Sequence, residues 1–315
     1  MHLLEPRANP SRLMRWSGPP IAILLTLLAA AALFAALGKP PLQAFYVFFV
    51  EPLETANGWS ELALKASPLV LIAQGLALGF RARIYNIGAE GQLLMGAVFA
   101  SGVAIYTEGM EGVWILPLMV FAGALGGALW GALPAWLKTH FNAEETLTTL
   151  MLTYVATYLL SYLVSGPWRD PGGTNFPQSI LFGESAMFLP LFEGLRLNSS
   201  IFITLLAVPV FWLFVARSFR AYQLSVGGLA PAAARYAGFS GRAAIWMSLV
   251  ISGLTAGLAG AMEAAGPVGQ LTLSLSPGYG YAAIIVAWVG RLHPVGILLS
   301  GLLMALIYIG GEAAQ

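Results

Sequence analysis

The chain is written in long apolar blocks separated by short clusters of Gly, Pro, Ser and charged residues. Blocks long enough for a bilayer-crossing helix of about 20 residues fall near 20–38, 62–80, 84–106, 113–137, 145–165, 199–216, 243–264 and 294–310. A further apolar piece, 279–290, is too short to cross. Bounded by Ser276-Pro277-Gly278 and His293-Pro294, it reads as a half-span or re-entrant helix whose ends must be covered by protein or water. The blocks are solid in Leu, Ala, Val and Ile rather than alternating, which argues against a membrane barrel. The pattern therefore predicts an all-α polytopic membrane protein with about 8–10 transmembrane helices, some of them broken or re-entrant. Interruptions at membrane depth occur twice, at 79–96 and 266–290, and such pairing suggests two inverted repeats with a pathway between them.

Composition sharpens this picture. Of 315 residues, 58% are hydrophobic and 9% charged, against roughly 25% charged in a soluble domain, and 36 glycines suit helices that pack closely in lipid. The net charge of +1 is dispersed, which gives nucleic acid no basic face to bind. No Cys is present. Disulfides, thiol catalysis and cysteine metal sites are excluded, and His2, His140 and His293 are too scattered for a ligand motif. Arg7, Arg12 and Arg15 precede the first apolar block as in a secretory signal, but the many spans that follow favour a retained first helix behind a cytoplasmic tail at 1–19, with 20–315 forming the transmembrane domain.

Alternating sides from a cytoplasmic N-terminus places Arg7, Arg12, Arg15, Arg81, Arg83, Lys138, Arg217, Arg220, Arg235, Arg242 and Arg291 inside. Only Lys39, Lys65, Arg169 and Arg196 then lie outside. That asymmetry follows the positive-inside rule. Two loops are long. The outer one, 166–200, carries Trp168, Asp170 and Asn175 in a turn-rich stretch fit to cap a pore or receive a partner. The inner one, 217–242, contains Pro231-Ala232-Ala233-Ala234-Arg235-Tyr236-Ala237-Gly238. Pro at its start and Gly after its end delimit a helix of about two turns.

Glu90 lies within Tyr85-Asn86-Ile87-Gly88-Ala89-Glu90-Gly91-Gln92, at membrane depth, where an ionisable side chain costs roughly 3 kcal/mol on insertion scales and faces a bundle interior or a wet path. Read as a helix, the run puts Asn86 and Glu90 four apart on one face, with Gly88 and Gly91 leaving room for a neighbour. Two roles stay open for Glu90 and for Glu263: a buried anchor bonded to another helix, or a group lining the path. Tyr85 and Tyr279, with Trp168, are candidates to stack on a solute, and Asn86 and Gln92 to hydrogen-bond it. No paired carboxylates, metal-binding helix or nucleophile elbow is present, and Gly38-Lys39 precedes two prolines rather than forming a phosphate loop. The chain is expected to have no enzyme activity and no cofactor; any ATP that drives it must be hydrolysed by another chain.

Taken together, several stretches resemble the permease subunits of bacterial ABC importers related to the ribose and branched-chain amino-acid permeases, and most closely the nucleoside branch. They are the Tyr85 to Gln92 run, Glu144-Glu145-Thr146-Leu147-Thr148-Thr149-Leu150-Met151-Leu152, Gly166-Pro167-Trp168-Arg169-Asp170-Pro171-Gly172-Gly173 with Asn175-Phe176-Pro177-Gln178, Ala233-Ala234-Arg235-Tyr236-Ala237-Gly238, Gly260 to Glu263, and Ser276-Pro277-Gly278-Tyr279-Gly280. The resemblance spans about 60–300. It implies a multi-pass protein of the cytoplasmic membrane. Its partners would be an ATPase subunit, a second permease subunit, expected to differ from this one, and an extracytoplasmic binding protein, all set in lipid. The helix at 231–237 would then be the coupling helix that docks on the ATPase, with Arg235 and Tyr236 as its foremost contacts. Ala230 and Thr153 stand where relatives usually carry Asn, which removes a cap at the first position and a polar contact at the second. The chain stops at Gln315, so either a truncation or an outer C-terminus is expected. A simple-sugar permease shares this architecture. A proton-coupled secondary transporter using Glu90, or a membrane enzyme using Glu90 or Glu263 as acid or base, are the readings from other classes.

Overall fold

A computed structural model describes residues 12–173 and 176–313. Its helices, in chain order, are α1 (Arg12–Ala36), α2 (Pro41–Phe49), α3 (Glu51–Glu54), α4 (Ala56–Arg81), α5 (Ala89–Tyr106), α6 (Ile115–Phe141), α7 (Glu145–Ser165), α8 (Ile201–Arg217), α9 (Phe219–Leu229), α10 (Pro231–Tyr236), α11 (Gly241–Glu263), α12 (Tyr279–Val289) and α13 (Pro294–Ala313). Among the described residues, strand pairing is limited to two isolated bridges. Among the described residues, six helices are long and apolar enough to cross a membrane: α4, α5, α6, α7, α11 with its extension to Val268, and α13. The pair α8 and α9, bent by 69°, and the shorter apolar helices Pro20–Ala36 and α12 complete the apolar set. The chain is thus all-α and polytopic.

Helix α4 is the central post. Leu69, Ile72, Ala73 and Leu76 are at most 1% exposed, and α4 packs against α11, α13, α12 and α8. The most extensive contact is between α6 and α11, and glycine makes it close. Gly123 and Gly127 on α6 face Gly253 and Gly257 on α11 so closely that a Cβ on Gly127 would strike the Gly253 carbonyl, and one on Gly257 the Gly123 carbonyl. On α5, Gly96 abuts Gly257, while Gly260 abuts the Leu93 carbonyl. Since lipid gives no hydrophobic force between helices, such backbone-to-backbone packing is what joins them.

Three departures from the sequence reading have local causes. The 84–106 block is not helical throughout. Helix α4 ends in a Schellman turn, with Ile84 N–H to Gly79 O at 2.9 Å and Arg83 N–H to Phe80 O at 3.1 Å, which forces Arg83 to φ 57°. Residues 82–88 then run non-helically before α5 starts at Ala89. Helix α9 fills the first half of the 217–242 loop, where Ala221, Leu224 and Gly228 form its buried face. Helices α2 and α3 occupy what the pattern left as an outer loop; Pro41 at N1 starts the first. Helix α1 begins at Arg12, ahead of the apolar block, and residues 1–11 of the expected tail lie outside the described residues.

Contacts sort the charges to two ends. Arg81 donates to Leu292 O at 2.6 Å, Gly228 abuts the Arg81 carbonyl, Trp246 donates to Thr139 at 3.3 Å, and Lys138 pairs with Glu145 at 2.9 Å. One end therefore gathers Arg81, Arg83, Lys138, Arg217, Arg220, Arg235, Arg242 and Arg291. At the other, Lys65 pairs with Glu312 at 2.8 Å and Arg196 with Glu61 at 3.3 Å.

Candidate functional site

The two interruptions that the sequence shows at membrane depth meet in space. Gly280, in the first turn of α12, packs directly on the backbone of Ala89 and Glu90, where a Cβ would have no room. Its N–H donates to Glu90 Oε2 at 2.7 Å, and the Ser276 hydroxyl and Gly278 N–H also bond the carboxylate. A helix of 11 residues rises about 16 Å, half a bilayer, so its N-terminus is left inside the membrane with unpaired N–H groups and a positive dipole end. Glu90 supplies the acceptor. The π-helical turn Ala264–Val268 ends α11 with Gly269 at φ 68°, and the chain reaches α12 through 269–278.

Beside this junction, Asn86 fastens the 82–88 break. Its Nδ2 donates to Gln92 Oε1 and to Ser252 Oγ, each at 2.8 Å, and its Oδ1 accepts from Gly88 N–H at 3.0 Å. Thr149 of α7 accepts from Ile87 N–H at 3.2 Å. Because 82–88 is not helical, Asn86 and Glu90 do not share a helix face, which corrects the spacing argument. Asn86 bonds within its own turn, to Gln92 of α5 and to Ser252 of α11; Glu90 bonds to α12.

The other singled-out residues divide by exposure. Asn86, Glu90, Gln92, Glu263 and Tyr279 are all at most 7% exposed, while Tyr85 is 40% exposed beside Phe80. Glu263 ends α11 near Lys65, Arg196 and Glu61. Tyr279 lies edge-on to Tyr308, 5.8 Å between centroids. Trp168 sits over Gly102 and edge-on to Tyr106, and Asp170 closes a turn by accepting from Gly172 N–H at 2.9 Å. Asn175 lies outside the described residues. The 166–200 loop folds back onto the end of α11: Ser179 N–H bonds Leu271 O, Phe182 N–H bonds Gly269 O and Phe188 N–H bonds Ala265 O, at 2.9–3.0 Å.

At the arginine-rich end, α10 stands clear of the bundle. Pro231, Ala233, Arg235 and Tyr236 are exposed, Tyr236 at 97%, and only Ala234 is buried. Gly238 at φ 75° ends the helix, with Phe239 N–H to Ala234 O at 2.9 Å. Packing of Phe239 on Phe219 and Tyr222 fixes α10 to α9. Behind α10 is a cleft of about 520 Å³ lined by Arg220, Gln223, Arg235, Phe239 and Trp246.

Sequence reasoning missed the partners of Glu90, since Ser276 and Gly280 are nearly 190 residues away in the chain. It also missed the exposed tyrosines of α7, although their spacing of four, Tyr154, Tyr158 and Tyr162, was legible.

The family model described as branched-chain amino acid transport system / permease component matches residues 58–315. The glucose ABC transporter permease protein TsgB13 of Haloferax volcanii is 34% identical, over 99% of this chain and 84% of its own length. The guanosine ABC transporter permease protein NupP of Bacillus subtilis is 31% identical, over 93% and 84%, and the nucleoside ABC transporter permease protein NupB of Lactococcus lactis is 26% identical, over 93% and 82%. No solved structure is a match. With residues 58–315, more than half its length, covered by the family model, the chain belongs to the family of branched-chain amino acid transport system permease components.

Proposed function

We propose that this chain is the membrane subunit of an ATP-driven importer that passes a sugar or nucleoside to the cytoplasm, working with a separate ATPase, a second permease subunit and an extracytoplasmic binding protein. The observation that carries the reading is α10. A six-residue helix, buried only at Ala234 and held at the arginine-rich end, presents Arg235 and Tyr236 to a partner. The positive-inside rule makes that end cytoplasmic, where an ATPase can reach it. Relatives named for glucose and for guanosine support a solute that carries a sugar ring.

The test is reconstitution of the importer in proteoliposomes with radiolabelled glucose and guanosine as the two probes. ATP-dependent uptake of one of them, insensitive to collapse of the proton gradient, is expected. Uptake without ATP that vanishes with the proton gradient would make the chain a secondary transporter and end the proposal.

A further inference from the structure

We propose that the face shared by α7 and α12 is the wetted wall of the solute path, and that Tyr154, Tyr158 and Tyr281 select an uncharged, hydroxyl-bearing ring. This deepens the permease reading and rests on it.

Helix α7 buries one stripe, Thr149, Thr153, Ala156, Leu160 and Val164. On the opposite side Tyr154 and Tyr158 are 53% and 74% exposed. Counting from Glu145 at 1.5 Å per residue, they lie roughly 14 and 20 Å along the helix, within a hydrocarbon core of about 30 Å. Tyrosine belongs at the membrane interface, where its hydroxyl meets water. Among the described residues neither hydroxyl has a hydrogen-bond partner, so contact with lipid tails would leave two polar groups unpaired.

Helix α12 leads independently to the same place. It exposes Tyr281, Ile285 and Trp288, yet it stops half-way through the membrane, and a half-helix is tolerated only where protein or water covers it. The Tyr281 side chain lies beside Thr153 and Tyr154 of α7, which brings the two exposed stripes together.

Its chemistry is specific. Beyond Glu145 in the first turn of α7, neither helix carries a charged residue, and the Glu90 carboxylate is turned inward onto Gly280. Phenol rings offer flat faces for a sugar or base, and their hydroxyls offer hydrogen bonds. Nothing on the face can pair with the ammonium and carboxylate of an amino acid, which would have to shed their hydration there.

The absence of cysteine makes the test direct. Tyr154→Cys and Tyr158→Cys are each treated with a charged methanethiosulfonate, which attacks the water-requiring thiolate, in the assembled importer. Leu206→Cys on α8, 66% exposed in the wild-type chain, is the lipid-facing comparison. The two tyrosine positions should react at least about tenfold faster than the leucine position. Whichever of glucose or guanosine the importer carries should slow them, and leucine should not. Rates equal to that of Leu206→Cys overturn the wetted wall even if wild-type uptake is normal, and slowing by leucine overturns the selectivity. Tyr158→Phe, which keeps the ring, should lower uptake about fivefold, the worth of one hydrogen bond. Unaltered uptake would remove the hydroxyl from the proposal. Failure of the permease reading looks different: no ATP-dependent uptake by the wild-type assembly.

Discussion

Replacing Glu90 by Ala removes the acceptor that holds the first turn of α12, and the structure fixes what is left behind. Gly280 N–H, bonded at 2.7 Å, is buried and gains no substitute. Gly278 N–H and the Ser276 hydroxyl lose the same partner, though the hydroxyl already accepts from Tyr279 N–H at 3.1 Å. An orphaned buried donor costs about 1–3 kcal/mol. Counting Gly280 in full and Gly278, which is only partly buried, in part, Glu90→Ala should destabilise the subunit by about 1–4 kcal/mol. Glu90→Gln keeps an oxygen acceptor and should cost about 1 kcal/mol. Denaturant unfolding in detergent micelles, followed by tryptophan fluorescence, measures both. The reasoning fails if Glu90→Ala unfolds within about 0.5 kcal/mol of wild type, the range of an inconsequential surface change, or if Gln proves no better than Ala.

Further outcomes follow from other contacts. Gly257→Val drives a side chain into the Gly123 carbonyl and the α6 backbone; it should cost more than about 3 kcal/mol and show as loss of folded protein in size-exclusion profiles, whereas Gly227→Ala, with open space around it, should be harmless. Arg235→Glu and Tyr236→Ala alter exposed positions on α10, so unfolding should be unchanged while ATP-driven uptake falls by at least about tenfold if the helix couples to an ATPase; normal uptake in both rejects that role. Glu144 caps α7, accepting from Leu147 N–H at 3.0 Å, and its carboxyl is held below the ordinary range by hydrogen bonds from Thr146 and Leu147 and by the Lys138 charge. A depressed folded-state value means that its stabilisation is full above the unfolded glutamate value of about 4.3 and is lost as pH falls through the folded value. Unfolding of Glu144→Gln should therefore show a shallower pH dependence below that point than wild type, and identical slopes would contradict the cap.

Much of the bundle was legible because apolar length is a strong signal: the blocks at 113–137 and 145–165 became α6 and α7 nearly in place, and the short 279–290 piece became the half-helix α12. Turn chemistry was legible at α10, where Pro231 and Gly238 mark both ends. What stayed hidden depends on contacts distant in sequence. The 82–88 segment contains no proline, and its first residues look helical; it is pulled out of helix because Asn86 finds Ser252 and Ile87 finds Thr149. Likewise the sequence left Glu90 open between anchor and path, for no local pattern announces that a carboxylate will bond the first turn of a helix some 190 residues later. Helix α9 was obscured by its Ser and Gly content, which lowers helix propensity and is offset by packing of Gly228 on the end of α4.

The contacts also connect the exposed helix to the half-helix. Helix α10 is fixed to α9 by the Phe239, Phe219 and Tyr222 cluster. Helix α9 rests through Gly228 on the Arg81 carbonyl with no space between, and the Arg81 guanidinium grips Leu292 O with Nε and Nη2, at 3.2 and 2.6 Å. Leu292 follows the C-terminal turn of α12, where Arg291 and Leu292 both hold positive φ. At its other end α12 is pinned to Glu90. Close-packed elements do not compress, so a push on α10 in the proposed importer would pass through α9 and the end of α4 to tilt α12 about its Glu90 pin. The wall carrying Tyr281 would move, while the glycine-locked crossing of α6 and α11 stays fixed. On this account, the buried carboxylate serves transport as a hinge pin, one of the two roles that the sequence left open for it, and the tyrosines meet the solute.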